Sequence, residues 1–179
     1  PLGKAPVPKA VSENPVDSFI VERLAKQALG LSPEADKRTL IRRLSFDLLG
    51  LPPTPEEIDG FLADKSANAL VAVVDRLLAS PRFGERWGRH WLDVVRYGES
   101  TGKERNVPYR YAWRYRDYVI DSFNQDKPYD KFIVEQLAGD SLQTNDQVER
   151  NRLAIATGFL AIGPKSLNTN NPEQFKVDE

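Results

Sequence analysis

The chain has 179 residues, 40% of them hydrophobic and 28% charged, with 25 Lys and Arg balanced by 26 Asp and Glu. This is the composition of one globular domain, or at most two small ones, and the formal charge of −1 leaves no net field to draw the chain to nucleic acid or anionic lipid. The absence of Cys excludes a disulfide, a thiolate metal site, a thiol nucleophile and covalent c-type haem attachment within these residues, and no apolar run nears the roughly 18–20 residues of a membrane span.

Residues 1–15 carry Pro1, Pro6, Pro8 and Pro15 among small and polar residues, a pattern expected of an extended tether that follows an upstream domain. With no Met in the chain, Pro1-Leu2-Gly3 reads as a processing scar or an internal linker, and residues 16–179 as a single helical domain cut from a longer parent. From Asp17 the apolar spacing of Phe19, Ile20, Leu24 and Leu29 predicts a helix with Gly30 as its C-cap. Ser32-Pro33 has the form of an N-cap followed by a first-turn proline, opening a second helix striped by Leu40, Ile41, Leu44 and Leu48 and closed by Gly50 and Pro52-Pro53. Thr54-Pro55-Glu56-Glu57 has the form of a capping box and starts a short helix to about Asp64.

Leu70, Val73, Val74, Leu77 and Leu78 predict a helix over 69–79, and Ser80-Pro81 starts another that should reach Tyr97. Residues 98–110 form a long polar loop. Helical patterns follow over 111–124, 129–138 and 147–162, the last apolar around most of its circumference and so expected to be the buried helix. Pro172 to Glu179 resembles the first turns of one more helix. The fold class is all-α, a compact bundle of about seven or eight short helices, since no strand alternation of comparable length competes.

Distinctive side chains concentrate between Phe83 and Tyr97. At 100° per residue Phe83, Trp87, Trp91, Val94 and Val95 share one face; Arg86, Arg89, Asp93 and Arg96 share the other, with His90 and Tyr97 at the seam. His90 is a candidate proton carrier or metal ligand oriented by Asp93, although as the only His it admits no two-His metal site. The competing account is a structural His beside an Arg89–Asp93 surface pair. Arg116 projects into an arc of Tyr111, Tyr115, Tyr118, Val119, Ile120 and Phe123, so a carboxylate should meet it, from Asp47, Asp93, Glu99 or Asp140. The catalytic candidates are therefore His90, Asp93, Glu99 and Arg116, and the anion-binding candidates Arg86, Arg89, Arg96 and Arg114. No metal set is visible. The loop with Gly98, Gly102 and Lys103 lacks the spacing of a phosphate-binding loop.

The strings Arg42-Arg43 through Asp47-Leu-Leu-Gly-Leu-Pro-Pro-Thr-Pro-Glu-Glu57, Gly84-Glu-Arg-Trp-x-Arg-His-Trp-Leu-Asp93, Ala112-Trp-Arg-Tyr-Arg-Asp-Tyr-Val-Ile120 and Glu135-Gln-Leu-Ala-Gly-Asp140 resemble a family from planctomycetes and related bacteria. That family is the planctomycete cytochrome-associated domain of the second type, a domain of unknown function, and the likeness runs over about residues 15–179. The resemblance implies a large exported, periplasmic or cell-envelope protein whose neighbouring domains include a c-type cytochrome carrying the haem, with a Cys-x-x-Cys-His segment beyond Glu179. On this basis the leading reading is an accessory or scaffold domain of a redox-linked protein, partnered by domains of its own parent. The alternatives are part of a cytochrome-linked enzyme acting on polysaccharide or a small organic substrate, and a carbohydrate-binding module. Exposed indoles at Trp87, Trp91 and Trp113 would mark the last; the helical pattern predicts them mainly buried.

Overall fold

In a computed structural model, which describes residues 14–102 and 106–165, every regular element is helical. Eight α-helices, α1 Pro15–Ala25, α2 Lys37–Leu49, α3 Pro55–Ala63, α4 Ala69–Leu78, α5 Pro81–Val94, α6 Ala112–Asn124, α7 Tyr129–Ala138 and α8 Gln147–Ala156, are joined by 3-10 turns at Gly139–Ser141 and Thr157–Leu160. Among the described residues the only β-type pairing is an isolated bridge between Ser100 and Pro108. The chain is all-α, as its sequence predicts. Of the tether expected over residues 1–15, residues 1–13 lie outside the described residues, as does the helix expected from Pro172, while Asn14 and Pro15 already cap and open α1.

The chain divides into two units, Pro1–Asp36 and Lys37–Glu179. In the first, α1 is capped by the Asn14 side chain, which accepts from the Val16 N–H at 2.9 Å. It ends earlier than its apolar spacing predicts. Ala28 N–H donates to Ala25 O and Leu29 N–H to Leu24 O, a Schellman closure with Ala28, not Gly30, in the left-handed region at φ 54°.

In the second unit α2 begins at Lys37 and not after Ser32-Pro33. The Lys37 ammonium donates to the Phe61 carbonyl at 3.1 Å and to the Asp64 carbonyl, and lies over the Phe61 ring, so it clamps the start of α2 to the end of α3. The Thr54–Glu57 capping box forms as expected. Ile41, Phe61, Ala69, Val73 and Leu77 close a first core among α2, α3 and α4.

The second core gathers Tyr115, Tyr118, Val119, Phe132 and Ala156, with Trp91, Leu92, Phe123 and Phe159 packed around it. Its centre is α6, where Ala112, Tyr115, Tyr118, Val119 and Ser122 are all buried. The segment 147–162 does not hold that place: α8 stops at Ala156, buries Leu153 and Ala156, and leaves Val148 75% exposed. Its later apolar residues fall in a 3-10 turn of different pitch, so they leave the face that a continuous helix would give them. Gly84 lets α5 approach α6 closely, and Gly88, one turn on, faces the same helix. A Cβ on Gly84 would stand 2.4 Å from the Ile120 carbonyl oxygen, and one on Gly88 3.4 Å from Val119 Cγ1.

Both α5 and α6 finish in Schellman closures on non-glycine residues. Arg96 (φ 55°) donates to Asp93 O while Tyr97 donates to Leu92 O, which ends α5 at Val94, short of Tyr97. Asp126 (φ 48°) donates to Phe123 O while Lys127 donates to Ser122 O. The loop after α5 is held at its base: Tyr109 N–H donates to Glu99 O at 2.7 Å, Thr101 N–H to Val107 O at 3.0 Å, and Lys165 N–H to Thr101 O at 3.1 Å. The Tyr109 hydroxyl donates to the Gly163 carbonyl at 2.8 Å.

Candidate functional site

The four catalytic candidates separate into two groups. Arg116 finds its carboxylate in Glu99, with Nη1 at 3.1 Å, and holds its neighbour Asp117 at 3.0 Å. The Tyr97 hydroxyl donates to the same Glu99 oxygen at 3.1 Å. Hydrogen bonding to Asp117 raises the Arg116 pKa, and burial followed by the Glu99 charge pushes the Tyr97 phenol up to about 12. These groups satisfy one another at the edge of the second core.

His90 stands apart on the exposed side of α5, its ring edge-on to Trp87 at 5.3 Å. Asp93 faces Arg89 at 3.9 Å, both well exposed, and no hydrogen bond or ion pair joins His90 or Asp93 to the Glu99–Arg116 group among the described residues. The helical wheel puts Val94 on the buried face; it is 72% exposed because the chain leaves the helix there.

The anion-binding candidates are also dispersed. The Arg86 stem packs on Gly50, whose φ of 72° forms the α2 cap, and its Nε is buried without a hydrogen-bond partner. Arg96 spends its backbone on the α5 closure and is exposed. Arg114 stacks over the rings of Tyr111 and Trp113 at 5.0 and 5.5 Å.

The indoles depart from expectation. Trp113 is 46% exposed and Trp87 37%, the latter with its indole N–H donating to the Asp47 carbonyl at 3.2 Å. Trp91 is partly buried, donating to Tyr115 Oη at 3.0 Å and Gln136 Oε1 at 2.9 Å, and the Tyr115 hydroxyl donates to the same Gln136 oxygen. Burial holds the Tyr115 phenol up to about 12.

Two concave features emerge that sequence reading did not find. One is a cleft of about 300 Å³ among α5, α6 and α7, walled by Phe83, Trp91, Phe123, Tyr129 and Phe132, with Asp126 and Lys127 at its edge. The Lys127 ammonium pairs with Glu135, side chains 8% and 12% exposed, and Glu135 also accepts from the Tyr118 hydroxyl at 2.8 Å. The other is a groove of about 510 Å³ between α6 and α8, lined by Trp113, Arg114, Val148, Arg152 and Ile155. The aromatic spacing around Trp91 and Phe132 is readable in sequence as core, but no local pattern shows that the rings leave a hollow. Among the described residues no group of three or more His, Cys, Asp or Glu is placed to hold a metal ion, and no helix is long and apolar enough to cross a membrane.

No curated protein and no solved structure matches the chain. One family model does, over residues 15–179, which takes in every candidate residue above and both cores. The chain belongs to the family described as PSCyt2, protein of unknown function (DUF1549).

Proposed function

We propose that the chain is an accessory docking domain of an exported, redox-linked cell-envelope protein, and that it holds neighbouring domains of its parent, a c-type cytochrome domain among them. The observation that carries this reading is the α6–α8 groove, where Trp113 and Val148 are 46% and 75% exposed, together with Tyr111, 67% exposed, which lies beside it under the Arg114 guanidinium. Tyr, Trp and Arg dominate the binding energy of protein interfaces, and Arg114 stacked on Tyr111 and Trp113 supplies a preformed cluster of the three. The ionisable candidates favour the same reading, since Arg116, Glu99, Asp117 and Tyr97 satisfy one another.

Oxidative footprinting tests it. Trp113 and Tyr111 should be labelled in the isolated 179-residue chain and protected in the intact parent, and Trp113→Ser with Arg114→Ser should abolish docking with little change in the chain's own melting temperature. Equal labelling in chain and parent removes the reading. The exposed indole of Trp113 also supports a carbohydrate-binding module; in that case a soluble oligosaccharide, not the parent, protects it. Loss of a parent activity on His90→Ala or Arg116→Met, at unchanged stability and docking, would favour the enzymatic reading.

A further inference from the structure

We propose that the cleft among α5, α6 and α7 is a binding site for a small quaternary ammonium or methylated amine, independent of the docking groove. At about 300 Å³ the cleft sits at the small end of ligand pockets and accommodates a group of that size. Five aromatic rings, those of Phe83, Trp91, Phe123, Tyr129 and Phe132, line it. Neighbouring rings stand nearly at right angles: 82° between Trp91 and Tyr129, 70° between Trp91 and Phe132, 71° between Phe123 and Phe132. Rings set at steep angles to one another let a rounded cation meet π-density from more than one side. A quaternary ammonium has no N–H to satisfy, so apolar walls cost it no hydrogen bond.

The charges at the edge favour the same class. Lys127 is neutralised by Glu135 and its nitrogen lies over the Tyr118 ring at 5.1 Å. That leaves Asp126 as the lining residue whose charge no ion pair offsets among the described residues, held at the rim by the left-handed closure of α6. The helix starts nearby are not open anion sites: the Gly84 N–H of α5 donates to Asn124 at 2.8 Å, and the first turn of α7 carries Asp130.

Choline, its uncharged isostere 3,3-dimethylbutan-1-ol and phenol, each titrated into the 179-residue chain and followed by NMR at the Trp91 indole, test the proposal. Choline should shift the Trp91 signal and bind at least about tenfold more tightly than the isostere, the scale of a partly desolvated cation–π contact. Asp126→Asn keeps a residue that tolerates left-handed backbone, and should weaken choline by about three- to fivefold while leaving the isostere unchanged. Tyr129→Ala, at a 70% exposed position, should weaken choline severalfold without unfolding the chain. The proposal is overturned if choline leaves Trp91 unmoved at millimolar concentration, if the isostere or phenol binds as tightly, or if Asp126→Asn changes affinity by less than about twofold.

Discussion

Arg96 occupies a backbone region, φ 55°, in which an L side chain crowds its own carbonyl. Replacing it with Gly removes that crowding without touching a side-chain contact of the second core. Arg96→Gly should therefore stabilise the chain by about 1 kcal/mol, raising the melting temperature by about 2–4 °C in a thermal scan. A loss of stability would show that the guanidinium has a binding partner of its own. The residue scale also shows where sequence was legible. Thr54 with Glu57 reads as a capping box because both partners are local, and Arg116 reads as a charge needing a carboxylate because it interrupts an apolar arc. Ala28, Arg96 and Asp126 give no such signal: their left-handed backbone follows from where the chain must go next, and none is the glycine that would announce it. For the same reason Asp126 passes as an ordinary turn residue before Lys127-Pro128, although it lines a cleft.

Gly84 and Gly88 both face α6, but only Gly84 stands where a side chain would not fit. A methyl at Gly84 meets the Ile120 carbonyl and the Asn124 amide group that binds the Gly84 N–H, so Gly84→Ala should cost roughly 1–3 kcal/mol despite its better helix propensity. At Gly88 the nearest atoms leave ordinary contact distance, and Gly88→Ala should be neutral or stabilising by up to about 1 kcal/mol. Urea denaturation of the two variants distinguishes these outcomes, and equal effects would contradict the close crossing. Element by element, the sequence marks most helices because their apolar spacing is regular. It fails where tertiary contacts intervene: Lys37 fixes the start of α2 through carbonyls of α3, and the 3-10 turn after Ala156 breaks a run that looks continuous.

Across the whole molecule, the second core is built on a stack of three phenols that ends on the Phe132 ring. Tyr97 lies over Tyr115 at 6.3 Å, Tyr115 over Tyr118 at 6.2 Å, and Tyr118 over Phe132 at 6.0 Å. Burial raises the Tyr97 and Tyr115 pKa values to about 12 and pushes Tyr118 higher, with Glu135 adding to the effect. Between pH 10 and 12 the unfolded chain, its phenols ionising near 10, binds fewer protons than the folded one, so stability falls as pH rises. It should be intact below pH 10 and lost as these phenols ionise; a pH titration following phenolate absorbance and circular dichroism should show late ionisation coincident with unfolding. Phenolate absorbance near pH 10 in excess of what the exposed Tyr111 and Tyr129 can supply, with the helices intact, would contradict the buried stack. The two cores also impose an order on synthesis. Every residue of the first core lies between Ile41 and Leu77, so it can assemble while the ribosome is still adding the rest of the chain. The second core must wait for Phe132 and Ala156, and the loop base at Thr101 for Lys165, so α5 and α6, which can pair with each other on emergence, keep the rest of their aromatic surface uncovered until those later segments follow.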